Sequence, residues 1–356
     1  MTHSFPQRLH MARTMRGHSM QSLSDLLDGQ LSKQAIGKYE KGEAIPRKDN
    51  LIALANALEL KLDFFDREIS VDINPSFRKL DSLSPKHQDK IIELTRDFVE
   101  RYIQAEHLVG ETLPFKEYQK YTCSSLEEAE QNAFKLREDW DLGKDPLHNI
   151  VETLEEKGIK VLRINFQEDD FSGLSSPLND GHAVIVINTK HKIDRQRFTA
   201  LHELGHLVMN FTEESPKKDI ESFCNRFASA MLIPADVAIK ELGPSRKNIL
   251  IPELIIIKGQ YGISPQAMMK RAAELGIIKE HRSKRFFQDL KARNLLKEEI
   301  GNFNGEEKSS RLNQIILKGV AEDYITSSMA ASILNISVSK FRDQLNYEHV
   351  NQSSDN

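Results

Sequence analysis

His202-Glu203-Leu204-Gly205-His206 restricts this chain more than any other feature. Residues four apart share one face of a helix, so a helix through this run aims two imidazoles at a single point. The flanks support such a helix, with Phe198-Thr199-Ala200-Leu201 leading in and Leu207-Val208-Met209 leading out. Leu201, Leu204, Leu207 and Val208 fall where they can enter a core. Glu203 stands beside the histidines, where a carboxylate can take a proton from water activated by a metal. A buried helix with two hydrogen-bonded histidines is the plain alternative.

Catalytic zinc takes three protein ligands and leaves a position open. No third histidine follows in the same helix, which continues Leu207-Val208-Met209-Asn210-Phe211, so the third ligand comes from elsewhere. The run Glu221-Ser222-Phe223-Cys224-Asn225-Arg226-Phe227-Ala228-Ser229-Ala230-Met231-Leu232-Ile233-Pro234 predicts a helix with Phe223, Phe227, Ala230 and Met231 as its apolar stripe. Glu221 sits at its start and would face a neighbouring helix. Taken alone, it reads equally well as a solvated first-turn glutamate favoured by the helix dipole.

The surroundings predict a mixed α+β domain over residues 122–285. Ser124 and Ser125 precede a helix through Ala129, Phe134 and Leu136, and a second helix is expected over residues 146–157, stopped by Gly158. Ile159-Lys160-Val161-Leu162-Arg163-Ile164 and Ala183-Val184-Ile185-Val186-Ile187-Asn188 predict strands, and helices dominate from Asp194 onward. The His-Glu-Leu-Gly-His run, then a glutamate four residues before Asn225-Arg226-Phe227-Ala228, then Leu232-Ile233-Pro234, resembles the ImmA/IrrE metallopeptidase family. Arg195-Gln196-Arg197-Phe198-Thr199 after Ile187-Asn188, and Phe171-Ser172-Gly173, fit the same likeness. The resemblance implies a zincin-like fold with Zn2+ on His202, His206 and Glu221, and with Glu203 as catalytic base. Cys224 stands where that family commonly has alanine. A thiolate from it as a fourth ligand is disfavoured.

Residues 1–68 predict an all-α domain of short helices. Leu9, Met11, Ala12 and Met15, then Leu23, Leu26 and Leu27, then Ala35, Ile36 and Tyr39, then Leu51, Leu54, Ala55 and Leu58 recur between Gly- and Pro-bearing turns. Ser32-Lys33-Gln34-Ala35-Ile36-Gly37-Lys38-Tyr39-Glu40-Lys41-Gly42, followed by Ile45-Pro46, resembles the Cro/repressor-type (XRE-family) helix-turn-helix. That likeness implies a recognition helix in the major groove, capped by Ser32, with Lys33, Gln34 and Lys38 turned to bases or phosphates. Acidic residues are absent from positions 31–39, which favours DNA over a protein-binding helical module.

Residues 69–121 form an expected helical connector opened by Leu83-Ser84-Pro85, suited to docking or dimerising. Residues 286–356 form an expected helical tail. Within it Met329-Ala330-Ala331-Ser332-Ile333-Leu334 and residues 338–345 make two short helices about a tight turn, read as packing or dimerisation in preference to DNA contact. Residues 351–356 are expected to be disordered. The sequence has no long internal repeat.

Composition bounds these readings. A net charge of -4 over 356 residues excludes a polycation that coats nucleic acid, so any DNA surface is local. Two distant cysteines fit a reducing compartment, and no apolar run of membrane-spanning length exists. The expected whole is a mainly α, multidomain, cytoplasmic and nucleoid-associated regulator that binds a double-stranded operator. It carries a zinc endopeptidase domain that cleaves a partner protein encoded nearby, and it is a candidate homodimer. The competing expectation is a repressor or antitoxin of a toxin-antitoxin operon whose peptidase fold binds its partner without turnover.

Overall fold

The computed structural model describes residues 4–73, 83–168, 171–212, 214–296, 298 and 300–346. The N-terminal part consists of α1 (Phe5–Met15), α2 (Met20–Leu26), α3 (Lys33–Glu40), α4 (Lys48–Ala57) and a 3-10 turn at Leu62–Asp66. The long helix α5 (Pro85–Val109) follows, capped by Ser84. Next come β1 (Tyr121–Cys123), α6 (Leu126–Asp139), α7 (Ile150–Glu156), β2 (Ile159–Ile164), β3 (Gly173–Pro177) and β4 (Ala183–Asn188). Then follow α8 (Ile193–Val208), β5 (Met209–Phe211), α9 (Lys217–Leu232), α10 (Ala235–Leu242), α11 (Ile251–Tyr261), α12 (Pro265–Glu274) and α13 (Glu280–Ala292). The chain closes with α14 (Arg311–Ala321), α15 (Ser327–Ile333) and α16 (Val338–Leu345). The fold is mainly α and multidomain. The terminal stretch expected to be disordered lies outside the described residues.

Described residues up to Leu113, together with those from Ser310 onward, form one compact unit, and Pro114–Ser309 form the other. By compactness the expected connector helix, and the part of the expected tail from Ser310 onward, group with the N-terminal helices, whereas residues 286–309 group with the second unit. In that first unit Leu9, Ala12, Leu23, Ile36, Leu54 and Leu58 share one core. Tyr102, Ala105, Ile315, Ile316, Ala330 and Phe341 share another. Both cores pack along α5.

The second unit is organised by a sheet in the order β2-β4-β3. Strand β4 pairs in parallel with β2, Ile159 opposite Ala183, and antiparallel with β3, Ser175 opposite Ile185. A strand held on both edges and covered on both faces is apolar throughout, and every residue of β4 is buried. Asn188 ends it with a purpose: its side chain donates to the Phe166 and Phe171 carbonyls and accepts from the Phe166 and Lys190 amides. Strands β1 and β5 make a separate parallel pair.

Helix α8 crosses this sheet, and two buried ion pairs fix its first turns. Lys258 Nζ lies 2.9 Å from Asp194 Oδ2. The fully buried guanidinium of Arg197 pairs with Glu307, donates to the Leu147 carbonyl at 2.6 Å and stacks 4.6 Å from the Phe303 ring centroid. The other oxygen of Glu307 accepts from the Ile150 and Val151 amides at 2.8 and 3.0 Å. That carboxylate joins the Asn149 cap in fixing the start of α7, which is why α7 begins at residue 150 and not at 146.

Candidate metal centre and nucleic-acid interface

In α8, Leu201, Leu204, Leu207 and Val208 are at most 2% exposed, so the opposite face presents His202 and His206 together. Helix α9 lies against this face. Gly205 makes the approach close: a Cβ there would stand 3.2 Å from Phe227 Cδ1 and 3.5 Å from the Cys224 backbone. Because α9 begins at Lys217, Glu221 lies a turn inside it and not at its start, which directs its carboxylate onto the histidines. His202 Nε2 lies 3.2 Å from Glu221 Oε2, His206 Nε2 lies 3.3 Å from Glu221 Oε1, and the two Nε2 atoms are 3.2 Å apart.

These distances test the fit of a metal. Ligand bonds of about 2.0–2.1 Å at tetrahedral angles separate donor atoms by about 3.3 Å. The Nε2 atoms of His202 and His206 are therefore spaced as two ligands of one zinc ion, and Glu221 turns one carboxylate oxygen toward each of them. Among the described residues they form the one group of His, Cys, Asp or Glu donors close enough to share an ion. Cys224 lies outside it, fully buried.

Two residues to which the sequence assigns no role at the site complete the centre. Asn225, one position beyond Cys224 on α9, accepts at Oδ1 from His202 Nδ1 at 3.0 Å. With Nδ1 engaged by Asn225, His202 turns Nε2 toward a carboxylate and a second imidazole, an arrangement that can receive a cation. Ser175 of β3 donates from Oγ to Glu203 Oε2 at 2.9 Å, and Glu203 is 2% exposed. Gly173 admits this close passage of β3 over α8: a Cβ would stand 2.6 Å from the Val186 carbonyl and 2.7 Å from Thr199 Cγ2. Phe211 and Phe223 stack with centroids 6.5 Å apart, and Phe211 lies 6.2 Å from the His206 ring, so the centre has an aromatic wall. The side chain of Glu221 is half exposed, which opens the centre on that side.

In the first unit, Ser32 caps α3, accepting from the Ala35 amide at 3.2 Å. Ile36 and Tyr39 bury one face of α3, and Ser32, Lys33, Gln34 and Lys38 are exposed on the rest. Helix α3 is anchored at its far end, where Glu40 receives Arg13 of α1 at 2.5 and 2.8 Å and His10 at 3.1 Å. Burial raises the Glu40 carboxyl, but the bonds from Arg13 and His10 outweigh it and hold it below its ordinary value.

A capped helix with an outward polar face beside a second short helix has the build of a helix-turn-helix. A helix-borne His-His-Glu cluster packed under a small sheet defines a metallopeptidase type of domain. Residues 9–65 match the family described as Helix-turn-helix, and residues 154–273 match the IrrE N-terminal-like domain. The chain thus carries an XRE-type helix-turn-helix domain followed by a metallopeptidase-family domain of the ImmA/IrrE type. It is 31% identical over 83 residues to the radiation response metalloprotease IrrE of Deinococcus radiodurans, covering 19% of this chain and 25% of that one. It is 40% identical over 60 residues to YonR, an SPbeta prophage-derived HTH-type transcriptional regulator of Bacillus subtilis, covering 17% of this chain and 54% of that one. The chain thus spans about a quarter and about half of the lengths of these two relatives. No helix among the described residues is long and apolar enough to cross a membrane.

Proposed function

We propose that His202, His206 and Glu221 hold a zinc ion and that Glu203 is the general base in hydrolysis of a peptide bond in a partner regulatory protein. Lys33, Gln34 and Lys38 meanwhile hold the chain on its operator from the Ser32-capped helix. The observation that carries this reading is the convergence of His202 Nε2, His206 Nε2 and the Glu221 carboxylate, whose two oxygens lie 3.2 and 3.3 Å from the two imidazoles, with Asn225 accepting from Nδ1 of His202. Zinc so held supplies a Lewis acid that brings the pKa of water toward neutrality. Glu203 is no ligand in this scheme. Its carboxylate, oriented by Ser175, accepts the proton of the attacking water and delivers it to the leaving amine. Such a protein works in the cytoplasm at the nucleoid, and its substrate is encoded near it.

The substrate does not enter by pairing with β4. Both edges of that strand are occupied, one by β2 and the other by β3. Strand β3 is the outer strand, yet Leu174, Ser175 and Ser176 are at most 7% exposed. That burial favours a second reading, a repressor or antitoxin whose peptidase fold engages a partner without turnover.

Metal analysis and a cleavage assay on the products of neighbouring genes separate the two. The expected result is one zinc per chain in the wild type and in Glu203→Gln, with cleavage by the wild type only. Cleavage by both proteins would remove Glu203 as the base, and zinc without cleavage would select the second reading. Zinc content unchanged in a His202→Ala, His206→Ala double variant would show the centre to be misplaced.

A further inference from the structure

The last three helices repeat the build of the first three. Helices α1, α2 and α3 have 11, 7 and 8 residues, and α14, α15 and α16 have 11, 7 and 8. The likeness holds position by position from the caps of the second helices, Ser19 and Thr326, whose side chains accept from the Ser22 and Met329 amides at 3.0 and 3.2 Å. Four and five residues beyond each cap lie the buried pairs Leu23 and Ser24, and Ala330 and Ala331. Nine residues beyond stand Asp28 and Asn335, both left-handed, with φ of +49° and +54°. The next amide bonds back to the carbonyl five residues earlier, Gly29 to Ser24 at 3.3 Å and Ile336 to Ala331 at 2.9 Å. Each third helix then opens on a serine cap, Ser32 or Ser337, and four residues beyond it lies a fully buried anchor, Ile36 or Phe341. The two turns differ by two residues, Gln30 and Leu31 being extra in the first.

We propose that α14–α16 is a second helix-turn-helix and that α16 is a second recognition helix for double-stranded DNA. Phe341 is the buried residue of α16 and spends its apolar contact in the core with Ile315 and Ile316. What remains outward is polar: Ser339, Lys340, Arg342, Asp343 and Gln344 are exposed, with Leu345 the large apolar side chain at the far end. A helix that docked on protein would present an apolar stripe there. Lys340 and Arg342 suit phosphates, Ser339 and Gln344 suit base edges, and the Asp343 carboxylate, which phosphates repel, suits only a base amino group. The motif is also firmly mounted. Arg101 of α5 donates to the Ile333 carbonyl, Arg311 reaches Glu106 of α5 at 3.0 Å, and Arg8 of α1 reaches Glu100 of α5 at 2.7 Å. Ser332 of α15 accepts from Arg67 at 2.8 Å and donates to Asp63 at 2.7 Å, tying α15 to the end of the first helical set. Two reading helices on one frame recognise a site with two separate elements.

The test starts from the full chain and a random pool of double-stranded DNA, from which the preferred sequence is selected. Lys340→Ala with Arg342→Ala changes two exposed side chains, and an unaltered melting curve and helix content confirm its fold. The expected outcome is a loss of at least about tenfold in affinity for the selected DNA, with disappearance of one of two sequence elements. The slope of log affinity against log salt should also fall by about 2. Lys33→Ala with Gln34→Ala should remove the other element and leave this one. Unchanged affinity, motif and salt slope in the Lys340, Arg342 variant would overturn the proposal. So would an unchanged motif with a changed oligomeric state in sedimentation, which would assign α16 to protein contact. A wild-type motif with a single element that depends on Lys33 and Gln34 alone would overturn it too.

Discussion

Asn225 Oδ1 accepts a 3.0 Å hydrogen bond from His202 Nδ1, so an uncharged residue on α9 orients a histidine on α8 and leaves its Nε2 facing Glu221. Residues that orient a metal-bound imidazole typically change affinity by about 10–100-fold when lost. Asn225→Ala should therefore retain the fold and one-to-one zinc stoichiometry, but lose zinc to a competing chelator at a concentration about 10–100-fold lower. Asn225→Asp, which keeps the acceptor, should stay near the wild type. Equal chelator midpoints for Asn225→Ala and the wild type would refute the orienting role.

Gly173 is where β3 meets α8, and an added methyl would overlap a backbone oxygen that cannot swing away. Gly173→Ala should cost about 1–3 kcal/mol by overpacking and displace Ser175 from Glu203. Denaturant melts report the first effect. A midpoint equal to that of the wild type would mean that the strand moves aside freely.

The carboxylate of Glu130 on α6 receives Arg271 of α12 at 2.7 and 3.0 Å and Arg226 of α9 at 2.6 Å. Burial pushes its carboxyl up, but the bond and charge from Arg271, and then Arg226, outweigh that and hold it below its ordinary value. A carboxyl depressed in the folded state adds stability above its unfolded pKa of about 4.3, and that gain is lost as pH falls through the folded value. The stability gap between wild type and Glu130→Gln should thus be full at neutral pH and shrink below about pH 4. A gap that stays constant from neutral to acid pH would contradict the linkage.

At the N-terminal reader, Lys33→Ala with Gln34→Ala should weaken operator binding about tenfold or more, and the loss of one cation should flatten the salt dependence by about one unit of slope. Zinc removal should leave this binding in place, because α3 is anchored by Arg13, His10 and its own apolar face. Gel shifts across a salt series with and without chelator measure both, and native affinity in the double variant would dismiss these two contacts.

What the sequence makes legible here is what repeats locally. Strands β2 and β4 begin and end at the expected residues, because continuous β-branched runs bounded by glycine and asparagine admit few alternatives. The helix of His202 and His206 is legible for the same reason. Strand β3 is not. Gly173-Leu174-Ser175-Ser176-Pro177 contains glycine, proline and two serines, and only pairing with β4 makes it a strand. Ser175 is equally silent, and Asn225, though it stands in the family-like run, gives no sign there of its bond to His202, since Glu203 and His202 lie 28 and 23 residues from them and become neighbours only through packing. The paired helices around Ser337 are visible in the sequence, but their correspondence with the first set rests on caps, a left-handed turn and burial, none of which needs residue identity to be kept.

The buried partnership of Arg197 and Glu307 sets how small a working peptidase fragment can be. The region that matches the peptidase family ends at residue 273, and a cut there or at 285 would look harmless on a map of the chain. Either cut discards Glu307, strands a guanidinium that has no access to water, and unseals the first amides of α7. Losing one member of such a pair typically costs about 3–5 kcal/mol, a large share of what holds a domain folded. The shortest soluble version of this half should therefore reach at least residue 309, and shorter clones will aggregate for reasons unrelated to zinc.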